Sequence, residues 1–366
     1  MNKRDELQAR FTRELLEAKF GGLMMVAPRV GKSKIVIDAI KENLNLRNYD
    51  YSEGFRIPVV IAIPIRVIET SWKKEFDKWF PDHASKIEVT YILHTHIDKV
   101  QTSFMIIDEI QEVFASKSKL RRLDTVFYNK TKVLGLSGYM SSLSRDRARR
   151  ANMKTISEYP VETAVDDGII SDFRVILRGI DLDEEHNIPV NDWMTSEKKA
   201  YQYWDKKVKE AELAHKDATY LIGKRANALF NFPKKLEIVK QFVEAMSEQR
   251  LLIFTTRTLV ADSICESYHS KNAKLDNLKR FQMGEIDKLA VCKTVSMGIT
   301  IPNLKVGIFH QLDSNAEKHL QKVLRLCNLE DASQKALVYI FYYKNTRDER
   351  WAKAACSGIP KRFIIE

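Results

Sequence analysis

Short apolar runs separated by amphipathic stretches recur along the whole chain, and this alternation limits the possible folds more than any other feature. In the first half the runs are GLMMVA (22–27), PVVIAIPI (58–65), VTYILH (89–94), FMIID (104–108) and KVLGLS (132–137). Each is short, β-branched or otherwise apolar, and bounded by polar residues. Such runs read as buried strands of a parallel sheet. Helical patterns such as KIVIDAIKENL (34–44) and SWKKEFDKWF (71–80) lie between them. The order predicts an α/β domain with helices flanking the sheet. The pattern restarts at DFRVILRGI (172–180), passes through a charged helical region over 195–230, and continues with RLLIFT (250–255), KLAVCKT (288–294), KVGIFHQ (305–311) and ALVYIFYY (336–343). A second α/β domain of similar size is expected. Gly168 and its flanking acids break the pattern in DDGIIS (166–171), which sets the domains at 1–168 and 169–366.

A chain of 366 residues has room for two ordinary domains. At 44% hydrophobic and 30% charged it reads as globular. No apolar run approaches the roughly eighteen residues that span a bilayer, so no membrane partner is expected. The charged N-terminus, MNKRDELQARFTREL, does not read as a signal peptide. Cys265, Cys292, Cys327 and Cys356 are scattered, as befits thiols in a reducing cytoplasm. A monomer is the expected state. The net charge of +11 favours a polyanionic partner, nucleic acid first. Residues 117–154 hold eleven Lys/Arg against two Asp, and RDRARR (145–150) is the densest run. That run reads equally as a solvated helix face.

A phosphate cradle needs backbone N–H groups converging on anionic oxygens in front of a helix, with a lysine for the β/γ-phosphates and a hydroxyl for Mg²⁺. VAPRVGKSKIV (26–36) supplies this context, since a strand feeds the loop and Lys32-Ser33 open a helix. Pro28, Arg29, Val30, Gly31, Lys32, Ser33 and Lys34 are the candidate ATP-binding residues. Val26 stands where the usual pattern opens with glycine, which a negative φ there would tolerate. The second half of an ATPase site is a carboxylate pair at another strand end. FMIIDEIQ (104–111) places Asp108 and Glu109 there. Asp108, with Ser33, can hold Mg²⁺, and Glu109 can orient or deprotonate the attacking water.

These motifs resemble those of superfamily 2 helicases and translocases. Ala27 to Ser33 is similar to motif I, and Asp108-Glu109-Ile110-Gln111 to motif II in its DEAH/DExQ form. IPIRVIETSWKKEFDKWF (63–80) resembles motif Ia and the Trp-x-x-Glu helix of Snf2-type ATPases. LGLSGYM (134–140) lies where motif III belongs, and AVDDGIISDFRV (164–175) resembles the interdomain linker. LLIFTTRT (251–258), TVSMGITIPNLKVGIF (294–309) and QKVLRLCN (321–328) resemble motifs IV, V and VI. The likeness covers about 15–343, and the compact length suggests the short phage or bacterial DNA helicases of the UvsW and Snf2-like kind. It implies two RecA-like domains, ATP and Mg²⁺ between them, and nucleic acid running across both. It also assigns roles. Lys32, Asp108 and Glu109 would be catalytic, Gln321 and Arg325 would reach the γ-phosphate, and Gly298 would lie near ATP. Gln111 and Ser137–Tyr139 would couple the site to the strand. Three positions depart from the pattern: Leu324 replaces the motif VI glycine, Tyr139 the motif III threonine, and Asn328 the second motif VI arginine.

Strand contacts expected from the motifs are Ile65, Arg66, Thr95, Thr255, Thr256, Arg257 and Thr300. The 195–230 region, which mixes Lys, Tyr and Trp with many acids, fits either a strand clamp or a solvated helical pair. Trp72 and Trp79, seven apart on one helix face, read as core packing, and His94 and His96 show no metal-ligand spacing. The Trp-x-x-Glu helix and the lack of an RNA-helicase Q-motif favour DNA over RNA. An RNA helicase of the same fold, or a binding or annealing module with lost ATPase, are the alternatives. A P-loop kinase or transporter ATPase fits poorly with the second α/β domain.

Overall fold

The computed structural model describes residues 2–47, 56–190, 193–269, 275–292, 304–312 and 335–366. Two compact units meet in the chain between Ser171 and Asp172.

The first unit contains α1 (Lys3–Glu17), β1 (Gly22–Val26), α2 (Lys32–Arg47), β2 (Ile57–Ile63), α3 (Val67–Trp79), β3 (Ile87–Leu93), β4 (Phe104–Ile107), α4 (Gln111–Ala115), α5 (Lys117–Tyr128), β5 (Lys132–Ser137), α6 (Ser142–Arg150), β6 (Thr155–Tyr159) and α7 (Val161–Asp166). Its six strands pair in the order β3-β2-β4-β5-β1-β6, and every pairing is parallel. Successive strand side chains point to opposite faces, so a central strand here feeds two cores. Met24 and Val26 of β1, Val59, Ile61 and Ile63 of β2, and Ile106 of β4 join Phe11, Ile37, Trp72 and Phe76 from α1, α2 and α3. The alternate residues Leu23, Met25, Val60, Ala62, Met105 and Ile107 join Phe114, Leu123 and Ala148 from α4, α5 and α6. Helices on both faces explain why the strand segments are almost continuously apolar.

The second unit contains β7 (Phe173–Ile180), β8 (Ile188–Val190), β9 (Trp193–Thr195), α8 (Glu197–Leu213), α9 (Thr219–Asn231), α10 (Pro233–Ala245), β10 (Leu251–Thr255), α11 (Thr258–Ile264), β11 (Ser267–Tyr268), α12 (Leu275–Met283), β12 (Lys288–Cys292), β13 (Val306–Phe309), β14 (Ala336–Tyr343), α13 (Arg347–Cys356) and β15 (Ile364–Ile365). Its seven-stranded sheet runs β11-β12-β10-β13-β14-β7-β15, again parallel throughout. The charged region over 195–230 is a helical pair, α8 and α9, capped at its start by the Ser196 side chain. Among the described residues no helix is long and apolar enough to cross a membrane.

β8 and β9 form a separate antiparallel pair, but in the two large sheets all strands point the same way, so the loops after them collect along one edge. Open parallel sheets bind ligands at that edge, beside a crossover. In the first unit β5 alone lies between β1 and β4, so the loops after those two strands sit close together.

Candidate functional site

The loop after β1 is shaped by two residues with left-handed backbone, Arg29 at φ 70° and Gly31 at φ 96°. Val26 keeps ordinary strand geometry as the last residue of β1. A Cβ at Gly31 would lie 2.6 Å from Gln8 Nε2, so this position has neither the dihedral nor the space for a side chain. Gln8, buried on α1, donates its amide to the Val30 carbonyl at 2.7 Å and braces the loop from behind. Ala27 N donates to Tyr159 O at 2.9 Å on the other flank, and Ile35 N donates to Gly31 O at 3.0 Å as α2 begins. Lys32 Nζ donates to the Val26 carbonyl at 3.3 Å, which folds the ammonium back over the loop. Ser33 lies in the first turn of α2. Lys34 is engaged elsewhere, paired with Asp38 at 2.7 Å and lying over the Trp79 ring at 4.9 Å.

Beyond β4, Asp108 N donates to Ala62 O and Ile110 N to Leu136 O, which pins the turn to both neighbouring strands. Between them Glu109 has left-handed backbone, φ 51°. A non-glycine residue held there stores conformational energy, as functional turns often do. Asp108 Oδ1 accepts from Glu109 N at 3.0 Å, and Asp108 Oδ2 accepts from the Trp72 indole at 3.0 Å. Gln111 Nε2 donates to Glu109 Oε2 at 2.7 Å. His94, just after β3, bonds through Nε2 to the Asp108 carbonyl at 2.8 Å. Burial, then the nearby Lys119 ammonium, pushes His94 down to about 3, so the ring is neutral. Desolvation, then the adjacent Glu109 carboxylate, raises the Asp108 carboxyl above its ordinary value, while Trp72 and Lys32 oppose the rise.

The loop after β5 completes the group. Ser137 is buried, and its hydroxyl donates to Tyr139 O at 2.6 Å and accepts from Tyr139 N at 3.1 Å. A Cβ on Gly138 would lie 3.6 Å from both Lys32 Nζ and Pro28. The segments resembling motifs I, II and III therefore meet within one unit. The set offers hard oxygen donors, one hydroxyl and two carboxylates. Among the described residues no group of three or more His, Cys, Asp or Glu could cage a metal ion. Such a donor set fits Mg²⁺, which is held by one or two carboxylates with phosphate and water making up its octahedron.

Trp72 and Gln8 are the residues that sequence reasoning missed in this role. Trp72 is buried as expected of a core residue, yet its N–H reaches the carboxylate. Of the expected strand contacts, Ile65 packs against the core, Arg66 is exposed and donates to Glu69 and to Tyr91 O, both at 3.3 Å, and Thr95 is exposed on a short turn over His94–Lys99. In the second unit Thr255 is buried and donates to Arg257 O at 3.1 Å. Thr256 Oγ1 donates to Gln311 Oε1 at 2.6 Å, and Arg257 donates to Asn227 Oδ1. Gly298, Thr300, Gln321, Leu324, Arg325 and Asn328 lie outside the described residues.

No family model matches this sequence. No curated protein matches it either. Solved structures do. The Pyrococcus furiosus Hef helicase domain is similar at 14% identity and TM-score 0.54, over 97% of this chain and 99% of that one. S. cerevisiae Dbp5 bound to RNA and ADP BeF3 is similar at 11% identity and TM-score 0.59, over 98% and 88%. A variant of Dbp5 with the same ligands gives 10% identity, the same TM-score and the same coverage. The fold is that of two tandem RecA-like α/β domains. Within such a fold, Lys32, Asp108 and Gly138 stand at the C-terminal edge of the first RecA-like sheet.

Proposed function

We propose that this chain is a nucleic-acid-stimulated ATPase that moves along or remodels DNA, with forked or branched DNA as its substrate. The observation that carries the reading is the gathering of Lys32, Asp108 and Glu109 behind two strands separated only by β5. Lys32 and the backbone amides of 29–33 would hold the phosphates of ATP, with Pro28 shaping the loop since it has no N–H to give. Ser33 and Asp108 would hold Mg²⁺, which when bound neutralises charge on the β- and γ-oxygens. Glu109, oriented by Gln111, would take the proton of the attacking water. Gln321 and Arg325 would reach the γ-phosphate, Arg325 adding positive charge and Gln321 a neutral hydrogen bond, with Gly298 beside ATP. Ile65, Arg66, Thr95, Thr256, Arg257 and Thr300 would line the strand path, and Thr255 would shape the turn that presents the last two of the 255–257 run. The Trp-x-x-Glu helix supports DNA over RNA and the Snf2-like or UvsW-like subtype. The likeness to Dbp5 bound to RNA supports a second reading, an RNA-stimulated ATPase of the same fold.

The test is ATP turnover with Mg²⁺ in the presence of no nucleic acid, single-stranded DNA, forked DNA or RNA, with Lys32→Ala as control. Stimulation by DNA that disappears in the variant is the expected result. Stimulation by RNA alone would move the assignment to the second reading. Absent turnover with intact ATP binding would favour a binding module, the reading that Asn328 supports.

A further inference from the structure

The second unit carries a polar cavity of about 390 Å³ that no motif above accounts for. It opens between α8, α9 and the start of α13. Five cations line it, Lys209, Arg225, Arg347, Arg350 and Lys353, against two carboxylates, Asp205 and Glu349. Both carboxylates are already neutralised. Asp205 receives Arg225 at 2.5 Å and Lys209 at 2.9 Å. Glu349 receives Lys353 at 2.6 Å and the Asn345 backbone N–H at 2.6 Å. Arg347 and Arg350, three apart and so on one face of α13, have no carboxylate within ion-pair distance among the described residues. Arg347 is fixed at its backbone, where its N–H donates to Tyr201 Oη at 2.9 Å.

The adjoining groove shows that this excess is local. That groove, about 600 Å³, shares Tyr201, Asp205, Lys209 and Asn345 with the cavity, but its four lysines face four carboxylates. Lys198 is paired with Glu184 at 2.5 Å and Lys344 with Asp181 at 3.1 Å. An anion gains little there. In the smaller cavity it meets two guanidiniums whose donors are not taken up by carboxylates, the geometry that favours bidentate phosphate binding.

We propose that this cavity is a phosphate-binding site that takes a backbone phosphate of nucleic acid through Arg347 and Arg350. Its walls are charged and polar, with little apolar surface to receive a base or other small-molecule body. The same helix that lends Arg225 to the cavity lends Asn227 to Arg257, so α9 joins the cavity to the turn after β10. The choice of a polymer over a free phosphate rests on the nucleic-acid reading above.

The experiment is equilibrium binding of a labelled single strand across a salt series. It compares the unaltered chain, Arg347→Ala/Arg350→Ala, Arg347→Lys/Arg350→Lys, and Lys198→Ala from the charge-balanced groove. Thermal unfolding checks that each variant folds. The double alanine variant should bind on the order of tenfold more weakly and lose about one to two from the slope of log K against log salt. The lysine pair should keep the slope, and Lys198→Ala should match the unaltered chain. Unchanged affinity and slope in the double alanine variant would overturn the site and leave the motor reading standing. Weakened strand binding in that variant, with ATP turnover of the unaltered chain that no nucleic acid stimulates, would support the site and sink the motor. Stabilisation by inorganic phosphate that requires both arginines, with strand affinity unchanged, would overturn the backbone assignment in favour of a small phosphorylated ligand.

Discussion

The indole of Trp72 donates to Asp108 Oδ2 from α3, which precedes β3 in the chain, 36 residues away. A hydrogen bond to a carboxylate contributes about 1.5–3 kcal/mol, and here it also fixes the orientation of the Asp108 carboxylate. Trp72→Phe keeps the buried ring and removes the donor. ATP turnover is expected to fall about tenfold with little change in ATP affinity, since the phosphate loop is untouched. Equal turnover in the two proteins would remove Trp72 from the site. Gly31→Ala acts on binding instead. Its φ of 96° and the 2.6 Å approach to Gln8 Nε2 leave no relaxed position for a methyl group. Because the Gln8–Val30 bond must give way, ATP affinity should drop by an order of magnitude or more, which nucleotide titration would read. The placement of Asp108 and Glu109 just after β4, and of Lys32 past the loop after β1, was legible because an apolar run precedes each, and a strand end is visible in one dimension. Trp72 and Gln8 were not, because their role comes from tertiary approach over 36 and 22 residues of chain.

At the scale of elements, the apolar runs became strands wherever helices cover both faces. The strands that sequence reasoning passed over are the short or marginal ones. β6 (TISEY) mixes exposed and buried residues, three of them polar, at the edge of its sheet, so no apolar burst marks it. β11 and β15 are two residues each, at the edges of the second sheet. The helical pair α8–α9 was legible as helix, but its attachment was not. Glu197 at the start of α8 accepts from Asp183 N and Lys234 N, both at 3.0 Å, and from Tyr343 Oη at 3.2 Å. Tyr343 N in turn donates to Asp348 Oδ2, which also takes the Lys235 ammonium at 2.5 Å. Lys235 and Asp348 are 1% and 0% exposed, so water cannot replace a lost partner. Asp348→Ala should therefore cost the second unit about 3–5 kcal/mol by leaving a buried ammonium unpaired. Lys235→Met with Asp348→Leu should cost far less, because no charge is stranded. Urea unfolding of the three proteins measures the difference, and equal losses in the single and double variants would refute the argument.

At the scale of the whole molecule, each unit holds, among the described residues, a histidine that burial keeps neutral in the folded state: His94 and His310. His94 closes β3 in the first unit, and His310 follows β13 in the second. Burial, then the Lys119 charge, lowers His94 to about 3. Burial, then the Lys235 charge, lowers His310 well below its ordinary value. Neither ring nitrogen of His310 has a hydrogen-bond partner among the described residues. In the unfolded chain both would titrate near 6.5. Above that value neither state binds the proton and stability does not depend on it. Below it the unfolded chain takes up protons that the folded units refuse, so stability falls as the pH falls. The loss is ~1.4 kcal/mol per histidine for each pH unit, or ~2 kcal/mol in each unit by about pH 5. Buried carboxyls work the other way. Asp108 and Glu197 are raised, first by desolvation, so their protonation favours the folded state as the pH drops and offsets part of the decline. Carboxylates with depressed values, such as Asp183 with its His186 backbone bond, lose their contribution only near and below the ordinary carboxylate range. The span from about 6.5 down to about 4 is thus set by the histidines against the raised carboxyls. His310→Leu removes an unpartnered buried polar ring and replaces it with apolar volume, so stability near neutrality should hold or rise. Its unfolding free energy should also fall less steeply on acidification than that of the unaltered chain. Denaturant unfolding followed across this span would show the two curves diverging toward acid, and parallel curves would mean that the His310 ring is charged or solvated in the folded protein.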